Sequence, residues 1–153
     1  MMTYSVKSKE KVKKFAEVFT PPSVVFRMIL LPEFIELLKD LDKTFFDPAV
    51  GEGQFPAAEL VLKLFHNLDR LNIETSMTAL GSLYGMDIQA ESIKKCHAHM
   101  SATLNDAYKF FTGEDFPQNS YGKIIISENF RTGDSLKFMS DLAQPTLFED
   151  IGA

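Results

Sequence analysis

Asp47, Gly51 and Gly53 lie within Phe46-Asp47-Pro48-Ala49-Val50-Gly51-Glu52-Gly53-Gln54-Phe55, where a short apolar run ends on an acid and a loop with two glycines. These residue types at this spacing suit a cradle for a nucleotide-type cofactor. Gly51 and Gly53 let the backbone turn tightly and approach a ligand that a side chain would block, and the apolar spacing from Phe55 to Leu64 predicts a helix starting at the loop. Pro56 fits that helix's first turn, where its missing N–H is no loss. A plain strand-to-helix turn is the alternative for the glycines alone. A dinucleotide fingerprint would need a third glycine where Pro56 stands, and a phosphate-binding loop would need Gly-Lys-Ser/Thr, which is absent.

Asp87 follows Leu83-Tyr84-Gly85-Met86, about a helix and a strand beyond the loop. A Rossmann-type unit puts an acid there to accept both hydrogen bonds of a ribose diol; a strand-end aspartate that caps the next helix is the other possibility.

The elements that must position these residues alternate along the chain. Residues 23–41 carry helical apolar spacing interrupted by Pro32, which predicts a broken helix or two short ones. A strand is predicted over 43–47, a helix over 55–71, a polar connection over 72–77, a strand over 80–88 and a long helix over 90–111. A loop over 112–122 leads to a third strand over 123–127, the run Lys123-Ile124-Ile125-Ile126-Ser127. The expected fold is α/β, with about three parallel strands and helices on both faces. Ligands in such sheets lie outside the carboxyl ends of the strands.

Composition frames the possibilities. With 153 residues and 45% hydrophobic content, the chain suits one globular domain with a real core. No apolar run approaches membrane-spanning length, no signal-peptide core is visible, and the single cysteine, Cys96, cannot form an internal disulfide, so a cytoplasmic location is expected. The net charge of -5 argues against gripping nucleic acid unaided, although Lys7, Lys9, Lys11, Lys13 and Lys14 form a basic segment that could touch DNA or form a solvated, frayed helix.

Four ordered segments resemble S-adenosylmethionine-dependent adenine-N6 DNA methyltransferases, from about Lys9 to Phe138. Asp47-Pro48-Ala49-x-Gly51-x-Gly53-x-Phe55 resembles their first motif, with Val50 where cysteine or alanine is commoner. Glu17-Val18-Phe19-Thr20-Pro21-Pro22 resembles the segment that closes over the methionine end of the cofactor. Leu83-Tyr84-Gly85-Met86-Asp87-Ile88 resembles the second strand, and Arg131-Thr132-Gly133-Asp134-Ser135-Leu136 the end of the third, whose aspartate faces the adenine. The resemblance implies a Rossmann-like methyltransferase fold in an incomplete form. Residues 1–22 would be a basic segment with the closing motif, 23–138 a partial cofactor-binding domain and 139–153 a tail.

It also implies S-adenosylmethionine as cofactor, in contact with Phe19, Thr20, Pro21, Asp47, Pro48, Ala49, Gly51, Gly53, Phe55, Asp87, Ile88 and Asp134. Asp47 would receive the methionine amino group or orient the glycine loop, and Asp134 would accept from the exocyclic amine unless it belongs to an ordinary Gly-Asp turn. Thr20 and Pro21 would touch the carboxylate or simply start a helix. DNA, in a restriction-modification or phage setting, would be the substrate partner.

The sequence departs from the family in lacking Asn-Pro-Pro-Tyr or a close variant, the motif that holds the target amine and stacks on the flipped base. No catalytic residue is therefore assigned, and an amino-terminal fragment or truncated product is expected. In the family a fourth strand pairs beside the first, so Thr44-Phe45-Phe46 is expected to be an open edge, covered by a second copy, a complementing subunit or the tail. The tail's Gln144-Pro145-Thr146-Leu147-Phe148 resembles short peptides that bind sliding clamps, or packs on the domain. Cys96 and His99 stand one helical turn apart beside His97, a spacing that offers at most part of a metal site. Phe110, Phe111 and Phe116 would stack on a base or, more simply, fill the core.

Overall fold

A computed structural model describes residues 25, 27, 28, 30–118 and 121–143. Phe19, Thr20, Pro21, the basic segment and the clamp-like peptide of the tail lie outside the described residues.

Pro32 opens helix α1 (Pro32–Leu38) from its first turn, as its missing N–H favours. Strand β1 (Phe45–Asp47) starts later than expected, because the residues before it form a turn whose carbonyls are taken by a lysine described below. The glycine loop then enters helix α2 (Gln54–Phe65). This helix stops short of Leu71 because Asn67 diverts the chain: its Nδ2 donates to the carbonyls of Lys39 and Lys63, and its Oδ1 accepts from Arg70 of a 3-10 turn, Leu68–Arg70.

The stretch 72–77, expected as a polar connection, belongs instead to helix α3 (Ile73–Gly81). Asn72 and Thr75 form a reciprocal capping box, and Ser76, Ala79 and Leu80 bury one face. Strand β2 (Leu83–Asp87) consequently begins three residues later than 80. The long helix α4 (Ala90–Thr112) matches its expected span and closes on Gly113, which takes the left-handed conformation at φ 78°.

The isoleucine run is the second correction: residues 123–127 are not a strand but lie in helix α5 (Gly122–Asn129), and strand β3 is Phe130–Thr132. A helix buries Gly122 and Ile126, four residues apart, and leaves Ile124 outside. Asn129 pins its end by donating to the carbonyls of Gly81 and Leu83. Helix α6 (Ser135–Ala143) follows.

The three strands form one parallel sheet in the order β1-β2-β3. Asp47 pairs with Gly85, and Asp87 with Thr132, so the carboxyl ends of all three strands fall on one edge of the molecule. Leu83 and Phe130 are fully buried within a core that includes Leu60, Leu64, Leu80, Met100 and Ala107. Phe46 and Tyr84, which alternate with these buried positions, are half-exposed. Among the described residues the chain is thus α/β, with three parallel strands and six α-helices, consistent with a Rossmann-like arrangement.

β1 is an outer strand, paired among the described residues with β2 alone. Its rings are flanked by Phe34 against Phe45 and Phe138 against Phe46, at centroid distances of 5.3 and 5.7 Å. No described helix is long and apolar enough to cross a membrane.

Candidate functional site

The sheet brings the loop of β1 beside the end of β2. Gly51 and Gly53 have φ of 55° and 88°, left-handed conformations that an L side chain resists. Hydrogen bonds hold the loop there. Val50 N–H donates to the Met86 carbonyl at 3.0 Å, Gly51 N–H to Asp87 Oδ2 at 3.0 Å, and Ala49 N–H to Asp47 Oδ1 at 3.0 Å. Asp47 therefore orients the loop, one of its two expected roles.

Asp87 is more deeply engaged than strand-end capping would require. Its Oδ1 accepts from Gln89 N–H at 2.8 Å while Oδ2 holds Gly51, and its carbonyl accepts from Gly133 N–H at 2.9 Å. One residue thus ties the β1 loop to β2 and to the turn after β3. Ionised carboxylates offer about four lone-pair sites, so about two remain for a ligand. Asp134 N-caps α6, its Oδ1 accepting from Leu136 and Lys137 at 3.1 and 3.2 Å, which is the ordinary turn chemistry expected as its alternative role.

Gly53 is pressed against α4: a Cβ placed there would lie 2.8 Å from Cys96 Sγ. Gly85 has the same function in β2, where a Cβ would meet Val50 Cγ2 at 2.6 Å and Phe130 Cδ1 at 3.0 Å. Around the mouth of the loop, Pro48 and Ala49 are exposed, Phe55 is half-buried and Ile88, the residue after Asp87, is 73% exposed. The structure therefore gathers Asp47, Pro48, Ala49, Gly51, Gly53, Phe55, Asp87, Ile88 and the Gly133-Asp134 turn at the carboxyl ends of the strands.

The metal-like cluster does other work. His97 Nε2 bonds to the Phe130 carbonyl at 2.7 Å, His99 Nδ1 to the Glu52 carbonyl at 3.0 Å, and Cys96 is buried against Gly53. No group of three or more metal-ligating side chains occurs among the described residues. Burial pushes the Cys96 thiol up to about 12, with Asp47 and Asp87 adding to the effect, so it is no nucleophile at neutral pH. Phe116 is buried edge-on to Tyr108, and Phe111 packs against the core, in keeping with the simpler role for these rings.

Two ionisable residues escaped the sequence reading. Lys63 is fully buried, its ammonium donating to the carbonyls of Asp40, Leu41 and Lys43 at 3.0, 3.2 and 2.7 Å and to Ser82 Oγ at 2.7 Å, 5.2 Å from the centre of the Phe45 ring. Burial lowers its pKa to about 8 against the pull of Glu59, Asp40 and Asp42. Glu59, one turn nearer the glycine loop, is 5% exposed, and its Oε2 is buried with no hydrogen-bond partner. Burial, reinforced by Asp47, raises its pKa to about 8, against a smaller opposing pull from Lys63. The available signal was their spacing: both fall on the face of α2 that also carries Pro56, Leu60 and Leu64.

Comparison with protein-family models, curated proteins and solved structures finds no match to this chain.

Proposed function

We propose that this chain is the S-adenosylmethionine-binding part of a DNA adenine-N6 methyltransferase, with the corresponding Rossmann-like fold, and that it does not methylate DNA alone. The observation that carries the proposal is the bond from Gly51 N–H to Asp87 Oδ2, which couples a left-handed glycine loop to the acid ending the neighbouring parallel strand. In this assignment the remaining lone pairs of Asp87 receive the ribose hydroxyls, Ile88 lies along the adenine, and Asp47 faces the methionine ammonium. The four ordered sequence motifs support it, and the absence of Asn-Pro-Pro-Tyr from the 153 residues supports the lack of independent activity. DNA would be engaged through a complementing subunit, for which the edge of β1 that is unpaired among the described residues is the natural junction.

A second reading, a cofactor- or nucleoside-binding module without transferase activity, draws on that same missing motif. Calorimetric titration of S-adenosylmethionine into the purified chain, beside Asp87→Asn, tests the common core of both. Saturable binding that the substitution weakens at least tenfold is expected; no binding to the folded wild-type chain overturns the assignment. Transfer of labelled methyl groups to DNA by the chain alone would overturn its catalytic silence.

A further inference from the structure

Glu59 sits on the buried face of α2, and α2 returns alongside β1 after the glycine loop. Lys63, one turn on, reaches the residues just before β1 and Ser82 just before β2. Glu59 is therefore displaced from Lys63 toward the carboxyl end of β1, where Asp47 stands. The four oxygens around Lys63 Nζ all come from other residues, and no ion pair joins Glu59 to Lys63 among the described residues. A buried carboxyl oxygen left without a partner is uncommon in folded proteins.

We propose that Asp47 and Glu59 together form the ammonium subsite of the cofactor pocket, and that Glu59 releases a proton when the ammonium of S-adenosylmethionine docks beside Asp47. The proposal rests on the cofactor assignment above. In the empty chain the buried carboxyl of Glu59 is held neutral, since burial and the charge of Asp47 together raise its pKa to about 8. Docking an ammonium at Asp47 offsets that repulsion while burial remains, and an opposite charge close to a carboxyl lowers its pKa by about 1–3. The carboxyl O–H bond then breaks heterolytically, the proton leaves to buffer, and the ligand ammonium keeps its own protons.

The other charged groups near α2 leave this balance intact. From β2, Asp87 is committed to Gly51 and Gln89; from α4, Cys96 stays protonated and Lys95 pairs with Glu52. From α1, Lys39 pairs with Glu36, while His66, at the end of α2, is kept neutral by burial. From α3, Glu74 is exposed.

Calorimetric titration of S-adenosylmethionine in phosphate and in Tris, buffers of different ionisation enthalpy, counts the protons. The wild-type chain is expected to release about 0.4–0.9 proton per ligand near pH 7, and its affinity to rise at least about fivefold between about pH 6 and 8. Glu59→Gln is expected to release none and to lose that pH dependence. Adenosine, which lacks the ammonium, is expected to release none. Equal wild-type heats in the two buffers, undiminished release by Glu59→Gln, or release with adenosine would overturn the proposal alone. Absence of saturable S-adenosylmethionine binding would overturn the cofactor assignment and this proposal together.

Discussion

Gly51 and Asp87, 36 residues apart, meet through a 3.0 Å hydrogen bond from a backbone N–H to a carboxylate oxygen. The contact makes the conformation of the first loop depend on the acid that ends the neighbouring strand. Asp87→Asn keeps the shape but loses the charge, and is expected to cost about 1–2 kcal/mol of stability. Urea denaturation measures that loss, and faster amide exchange at Gly51 localises it.

The two loop glycines should separate cleanly by substitution. Gly51 has open space around its missing Cβ, so Gly51→Ala carries only the left-handed backbone penalty of about 1–2 kcal/mol. Gly53→Ala adds the clash with Cys96 Sγ and is expected to cost about 3 kcal/mol or more. Thermal unfolding of the two variants side by side checks the order; equal losses would contradict the close approach to α4.

Gly85→Ala drives a methyl into Val50, 2.6 Å away, and is expected to destabilise by about 2–3 kcal/mol. Val50→Ala removes the closest obstruction, Cγ2, and leaves the Val50 Cβ at 2.8 Å and Phe130 Cδ1 at 3.0 Å. The double variant should therefore be more stable than the two single losses summed, by about 1 kcal/mol in a double-mutant cycle.

Glu59 makes stability depend on pH in a defined direction. Its folded pKa of about 8 lies above the ordinary value of 4.5, so the folded chain binds the extra proton between those values. Its contribution is fully present below 4.5 and is lost as pH rises toward 8. Lys63 acts in a different window: its pKa falls from 10.5 to about 8, so its burial costs stability below about 8 and that cost is relieved above it. Urea denaturation at about pH 5 and 8 should show the wild type weakening while Glu59→Gln, neutral throughout, does not; the variant is expected to be about 2 kcal/mol the more stable at about pH 8.

What local pattern dictates was legible in the sequence. The helical period of Ala90–Thr112 and the short apolar strand before two glycines each point to their element without help from the rest of the chain. The acid at the end of β2 was legible from its place after a short apolar strand, although two helices, α2 and α3, rather than one separate it from the loop. Period and propensity failed where tertiary contacts outweighed them. Ile124-Ile125-Ile126 has β-branched chemistry, yet the outer place beside β2 is filled by Phe130–Thr132, and the helix instead buries Ile126 and seats Asn129 across Gly81 and Leu83. The capping box of Asn72 and Thr75 was readable but was masked by the polar residues around it.

The sequence by itself determined which residues could form the site, because glycines and acids are chosen by local turn geometry and strand ends. Only the tertiary structure decided how they are used. It engages Asp87 with Gly51, commits Asp134 to a helix cap, and leaves Glu59 on the buried face of α2 with an unpartnered oxygen. Those outcomes depend on how three parallel strands and the helices packed on them bring distant residues together and exclude water, which one-dimensional spacing does not encode.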